Sequence, residues 1–189
     1  MNTLRQIFFV PLALSSLVLS ACGGSEPMVE YSPLDGEACV GTVESMPAGL
    51  SPIEDAGLLQ EALGKTGEGK LCAGRVFAAS AAGSVTVYRV WNSAKSYTEF
   101  GKWWSLSKPT GTVASYREEN AICPEWSELN QLTRCTLKAG AHVVIGPGQS
   151  ASCMTLTYGK SAVNQVYMAN DTRVGMLYVE GCSQLGVWP

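Results

Sequence analysis

Ser84-Val85-Thr86-Val87-Tyr88-Arg89-Val90-Trp91 is the stretch on which a fold for this chain turns. β-Branched and aromatic residues dominate it, as they do in strands. Successive strand side chains point to opposite faces, so Val85, Val87, Arg89 and Trp91 share one side and Thr86, Tyr88 and Val90 the other. Both sides are mostly apolar, which predicts an inner strand covered above and below. Arg89 is the exception. A guanidinium at that position must either be paired or open onto a cleft.

Outward from this strand the pattern divides. Another strand is predicted over 75–79, set off by Ala81-Ala82-Gly83. Further on, strands are predicted over 132–137, 141–145, 152–158, 163–168 and 174–180. Lys138-Ala139-Gly140, Pro147-Gly148 and Asn170-Asp171 punctuate them. Upstream, Ser51-Pro52-Ile53-Glu54 has the form of a helix start: a capping serine, proline at the first helical position and a capping-box glutamate. That helix should carry Leu58, Leu59 and Leu63 on its buried side and stop at Gly64. Residues 92–111 are polar and aromatic, with Trp103-Trp104 inside. A short helix is predicted over 113–119, and another turn or two over 124–130. The expectation is therefore one α+β domain, a helical N-terminal part followed by a strand-rich, mainly antiparallel sheet.

The N-terminus has a different character. One positive charge, Arg5, precedes a largely apolar run over 7–19 that is interrupted by Pro11. A run of about thirteen residues is shorter than the ~20 needed to cross a bilayer, so it reads as a signal peptide. It ends in Leu19-Ser20-Ala21-Cys22, which resembles the lipobox of bacterial lipoproteins. The resemblance implies cleavage before Cys22 and acylation of Cys22, with the outer membrane as destination and the domain facing either the periplasm or the exterior. Gly23, where an aspartate would imply inner-membrane retention, underlies that address. Residues 1–21 are then signal, 22–38 a lipid-anchored tether rich in Gly, Ser, Pro and acidic residues, and 39–189 the domain. The membrane is thus the first partner expected.

Seven cysteines are present, and lipidation of Cys22 leaves Cys39, Cys72, Cys123, Cys135, Cys153 and Cys182. Six in an oxidising compartment predict three disulfides, with fifteen connectivities open. No two lie closer than Cys123 and Cys135 and there is one histidine, which argues against a metal centre. Without residues 1–21, which hold Arg5 and no acid, 12 basic residues face 16 acidic ones, a net charge of −4. No basic stripe occurs, so nucleic acid is excluded as a partner on electrostatic grounds.

Candidates for chemistry are few. His142, the sole histidine, alternates with apolar residues and reads as structural. Glu118-Glu119, and Glu125 with Glu128, read as solvated helix surface. Trp91, Trp103, Trp104 and Trp126 fall close together and serve either as core or as flat platforms for a glycan or an envelope protein partner. On a strand Trp103 and Trp104 point to opposite faces, so only one should be buried.

Val87-Tyr88-Arg89-Val90-Trp91, Trp103-Trp104-Ser105 and Val163-Asn164-Gln165-Val166-Tyr167 together resemble the three-part order of ADP-ribosyltransferases. The resemblance implies an NAD-binding domain. Arg89 would clamp the cofactor phosphates, Ser105 would line the nicotinamide pocket, and Trp103 or Trp104 would lie against a cofactor ring. Gln165, or Tyr167, stands where that family carries its catalytic glutamate. A glutamine offers hydrogen bonds but no charge to a cationic transition state, so the implied relative is an inactive one unless another acid such as Glu180 serves. Two expectations follow: an ADP-ribosyltransferase-like domain, or a non-catalytic binding module presenting tryptophans.

Overall fold

In the computed structural model, which describes residues 33–43, 48–82 and 84–189, antiparallel strands are the dominant regular structure. In chain order these are β1 (Leu50–Pro52), β2 (Arg75–Ala79), β3 (Thr86–Trp91), β4 (Trp103–Trp104), β5 (Gln131–Leu137), β6 (His142–Gly148), β7 (Ala151–Ser152), β8 (Thr157–Tyr158), β9 (Ser161–Tyr167) and β10 (Val179–Val187). Helices α1 (Ala56–Ala62) and α2 (Val113–Asn120) are short. One sheet has the order β1-β2-β6-β9-β4 and a second β10-β5-β3, with β7 and β8 forming a separate hairpin. Reciprocal 2.8 Å bonds between the backbones of Tyr88 and Ser105 link the two larger sheets.

The core lies where those sheets meet. Val87, Cys135, Leu137 and Val179 of the second sheet pack with Phe77, Val143, Ile145, Trp104 and Val166 of the first. Burying each such apolar side chain contributes roughly 1.5–3 kcal/mol. Leu59 and Ala62 of α1 cover Val76, Val144 and Tyr167, which alternate with the core residues of β2, β6 and β9. Tyr116 of α2, with Leu129 and Trp188, covers Val90 and Leu132. Strand β3 thus has apolar cover on both faces, as its alternation predicts.

The expected α+β class is corrected, because the described residues form mainly antiparallel sheet with two short helices. The two helices span 7 and 8 residues, and strands β1 and β2 precede and follow the first of them. The Ser51-Pro52 start is corrected too. Ser51 and Pro52 are extended in β1, paired with Ala78 and Phe77, and proline is tolerated there because β1 is an edge strand. Asp55 caps α1 instead, its Oδ1 accepting from Leu58 N at 3.0 Å. The predicted strand 152–158 is a hairpin around residues 153–156. The predicted strand 174–180 gives way to a 3₁₀ turn at Thr172–Val174 and a later strand, β10. Local leucine spacing mimics a longer helix, whereas β1 exists only because β2 lies alongside it.

Three disulfides form, Cys39–Cys72, Cys123–Cys153 and Cys135–Cys182. The first fastens the segment before the sheets; the third joins β5 to β10. Within that first segment Asp35 accepts from Thr66 Oγ1 (2.7 Å) and Gln149 Nε2 (2.9 Å) and pairs with Lys160 Nζ at 3.0 Å. The Asp35 carboxyl is consequently held far below the ordinary carboxylate range, the Thr66 bond contributing most. Residues 1–32, which include the expected signal, Cys22 and most of the expected tether, lie outside the described residues, and no described helix is long and apolar enough to cross a membrane.

Candidate binding surface

Arg89 points from β3 toward the loop that leads into β4. Its Nε donates to the Thr98 carbonyl at 2.7 Å and its Nη1 to the Trp103 carbonyl at 2.5 Å. Burial lowers the guanidinium pKa to about 10, so it remains cationic at neutral pH. Gly101 makes room for it: a Cβ there would lie 2.3 Å from Nη2. Arg89 therefore ties a polar loop to the sheet through backbone carbonyls, a partner class that sequence reasoning did not consider.

Ser105 is brought beside Arg89 by the pairing of residue 105 with Tyr88. Its Oγ lies 3.3 Å from the Tyr116 hydroxyl of α2. Burial raises the Tyr116 pKa, so that hydroxyl stays protonated. Gln165 is buried on β9, and its Nε2 donates to the carbonyl of Asn120 at the end of α2, at 3.2 Å. Asn120 in turn donates to the Tyr116 carbonyl. Ser105 and Gln165 thus both reach α2 while Arg89 is turned to the Thr98 and Trp103 carbonyls, and each of the three is engaged with protein atoms.

The tryptophans divide as the strand alternation requires. Trp104 is 2 % exposed in the core, its Nε1 bonded to the Gly101 carbonyl. Trp103 is half-buried on the opposite face, its ring 4.9 Å from that of Tyr167 and tilted by 60°. Around this pair sit two charged side chains. Tyr167 donates its hydroxyl to Glu61 Oε2 at 2.8 Å and accepts from Lys102 Nζ at 3.3 Å. Burial, then the adjacent Glu61, push the Tyr167 pKa up, so the phenol remains a donor at any physiological pH. Helix α1 supplies the acid, β4 the indole and β9 the phenol. Glu61 and Lys102 were missed from sequence because neither belongs to a motif; the one available signal was that Lys102 immediately precedes the Trp pair.

A second feature flanks the same helix. His142 Nδ1 lies 3.1 Å from Asp55 Oδ2, and both line an open cleft of about 250 Å³ with Leu58, Gly140, Ala169 and Tyr178. The Leu58 N–H first, and His142 second, hold the Asp55 pKa below its ordinary value. No hydroxyl or thiol nucleophile stands among the lining residues apart from the Tyr178 phenol, which is bonded to Met176 Sδ. The remaining acid candidates are scattered: Glu125 accepts from Met154 N, and Glu118 and Glu119 are exposed on α2.

Comparisons of the chain with family models, with characterised proteins and with solved structures return no match. The functional reading accordingly rests on this geometry.

Proposed function

We propose that this chain is a lipid-anchored envelope protein whose domain is a non-catalytic binding module, and that Trp103 is the centre of its ligand surface. The ligand class is a glycan. Trp103 supports this most directly, as a half-buried indole beside a phenol, an ammonium and a carboxylate. An aromatic face takes the apolar side of a sugar ring, while flanking charged groups take its hydroxyls. The anchor at Cys22, carried by the lipobox resemblance, would place this surface against envelope polymers at high effective concentration.

The NAD reading draws less support. A phosphate clamp presents its guanidinium to the ligand, whereas the Nε and Nη1 of Arg89 are turned to the Thr98 and Trp103 carbonyls. The test is retention of the mature protein on purified cell-wall glycan, compared with Trp103→Ala. Retention lost in the variant while its fold persists supports the reading. Equal retention of both proteins, or retention only on envelope protein, would sink it.

A further inference from the structure

One exposed apolar patch has no part in the Trp103 surface. Trp126 is 46 % exposed, Met154 83 %, Leu156 38 % and Leu34 41 %. They belong to one region because short contacts connect their backbones. The Trp126 ring rests on Gly69, where a Cβ would lie 2.7 Å from the indole. Gly69 N donates to Ser150 O and Ser152 N to Gly67 O, setting residues 67–69 along β7. The hairpin that β7 begins carries Met154 and Leu156 at its turn, and the Cys123–Cys153 disulfide fastens that turn to the segment holding Trp126. Met154 N also donates to Glu125 Oε1 at 2.8 Å. Leu34 joins through its neighbour Asp35, whose carboxylate accepts from Thr66, next to Gly67.

This is also where the chain comes in from the N-terminus. Twelve residues, Gly23 to Leu34, separate Cys22 from the docked segment at Asp35. Fully extended, the path from Cys22 to Asp35 reaches about 44 Å, and a relaxed chain spans much less. The partly buried Asp35–Lys160 pair and the Cys39–Cys72 bridge fix the point at which that chain enters the domain. A domain held on so short a lead keeps the region of its attachment nearest the bilayer. Tryptophan, methionine and leucine are side chains that partition into the boundary between headgroups and acyl chains. Exposed apolar side chains gathered on one region of a polar surface mark an interaction site.

We infer that Trp126, Met154, Leu156 and Leu34 form a membrane-contact face, seated in the headgroup region of the bilayer that holds the acyl chains. The inference rests on the anchor at Cys22. It does not depend on what Trp103 binds. Seating adds apolar contacts to the acyl chains and fixes the domain's orientation, so that the rest of its surface is presented at a set angle. Asp35, Glu37, Glu68 and Glu125 outnumber Lys65, Lys70 and Lys160 in this region, so charge does not draw it to an anionic bilayer. The contact rests on the apolar side chains, which should keep it in high salt.

The experiment uses the mature full chain in vesicles of phosphatidylethanolamine and phosphatidylglycerol, a fraction of whose acyl chains are brominated. Intact mass establishes first whether Cys22 carries lipid. Bromine should quench part of the tryptophan emission, and Trp126→Phe should remove that part. Met154→Asp should reduce the quenching severalfold while leaving the folded spectrum unchanged. A chain without lipid on Cys22 would remove the basis of the inference. An acylated chain quenched equally with and without Trp126 would overturn it, as would protection of Trp126 from acrylamide only when envelope proteins are added.

Discussion

Asp55 Oδ2 and His142 Nδ1, 3.1 Å apart, join the start of α1 to the first residue of β6. The other oxygen of the same carboxylate caps the helix by accepting from Leu58 N. One side chain thus fixes both where α1 begins and where it sits on the sheet. Because α1 also carries Glu61, the position of the Trp103 surface depends on this contact 6 residues upstream.

An acid dependence of stability follows. The Asp55 pKa is lower in the folded protein than in the unfolded chain, where it is about 3.9. The contribution is therefore complete above that unfolded value and is lost as pH falls through the folded one. Asp55→Ala should cost about 1 kcal/mol at pH 7, the typical worth of a cap. Asp55→Asn should keep most of the cap and flatten the acid limb below pH ~4. Urea unfolding of the three proteins across pH 2–7 reads both effects.

Trp103 and Trp104 should separate binding from folding. Trp104→Ala removes a fully packed core indole and should cost about 3–5 kcal/mol, with loss of cooperative unfolding. Trp103→Ala should cost roughly 1 kcal/mol, because its ring already meets solvent and its main lost contact is with Tyr167. Calorimetry that ranks the two in the opposite order would mean the strand faces the other way.

What was legible in the sequence was period-two alternation. Strand β3, its two covered faces and the division of labour between Trp103 and Trp104 all follow from it. The six cysteines left after Cys22 pointed to three bridges, but their partners depend on which strands meet, and β10 could not be anticipated. Its run Val-Glu-Gly-Cys-Ser-Gln-Leu-Gly-Val is glycine-broken and mostly exposed, and only pairing with β5, interrupted by irregular register, makes it a strand. The helix start was misread because Ser51-Pro52 fits a cap and an edge strand equally well, and only the presence of β2 decides between them. The Arg89 partners were invisible for a related reason. Backbone carbonyls carry no sequence signature.

The three bridges should be recoverable as linked peptides by mass spectrometry of the unreduced protein, with no thiol among the six open to alkylation. Among them Cys135–Cys182 spans the longest separation, 47 residues. In the chain-entropy account its removal should cost about 4 kcal/mol, against slightly less for the 30-residue Cys123–Cys153 loop. Paired serine replacements followed by urea titration measure the difference.

Arg89 offers the sharpest test of the choice between a structural and a nucleotide-binding role. Its fork bonds two carbonyls on separate residues, so Arg89→Ala should cost about 3 kcal/mol, since bonds to charged groups are worth ~1.5–3 kcal/mol each. Arg89→Lys should recover only part of this, because a single ammonium lacks the planar fork that reaches both acceptors. Gly101→Ala should destabilise the parent, its Cβ entering the space of the guanidinium, and should cost far less once Arg89 is already alanine. That non-additivity is specific to a side chain holding a loop. Alongside it, millimolar NAD should leave the tryptophan emission of the parent unchanged. Additive costs for the two substitutions, together with NAD-dependent quenching abolished by Arg89→Ala, would transfer Arg89 from the scaffold to a phosphate site.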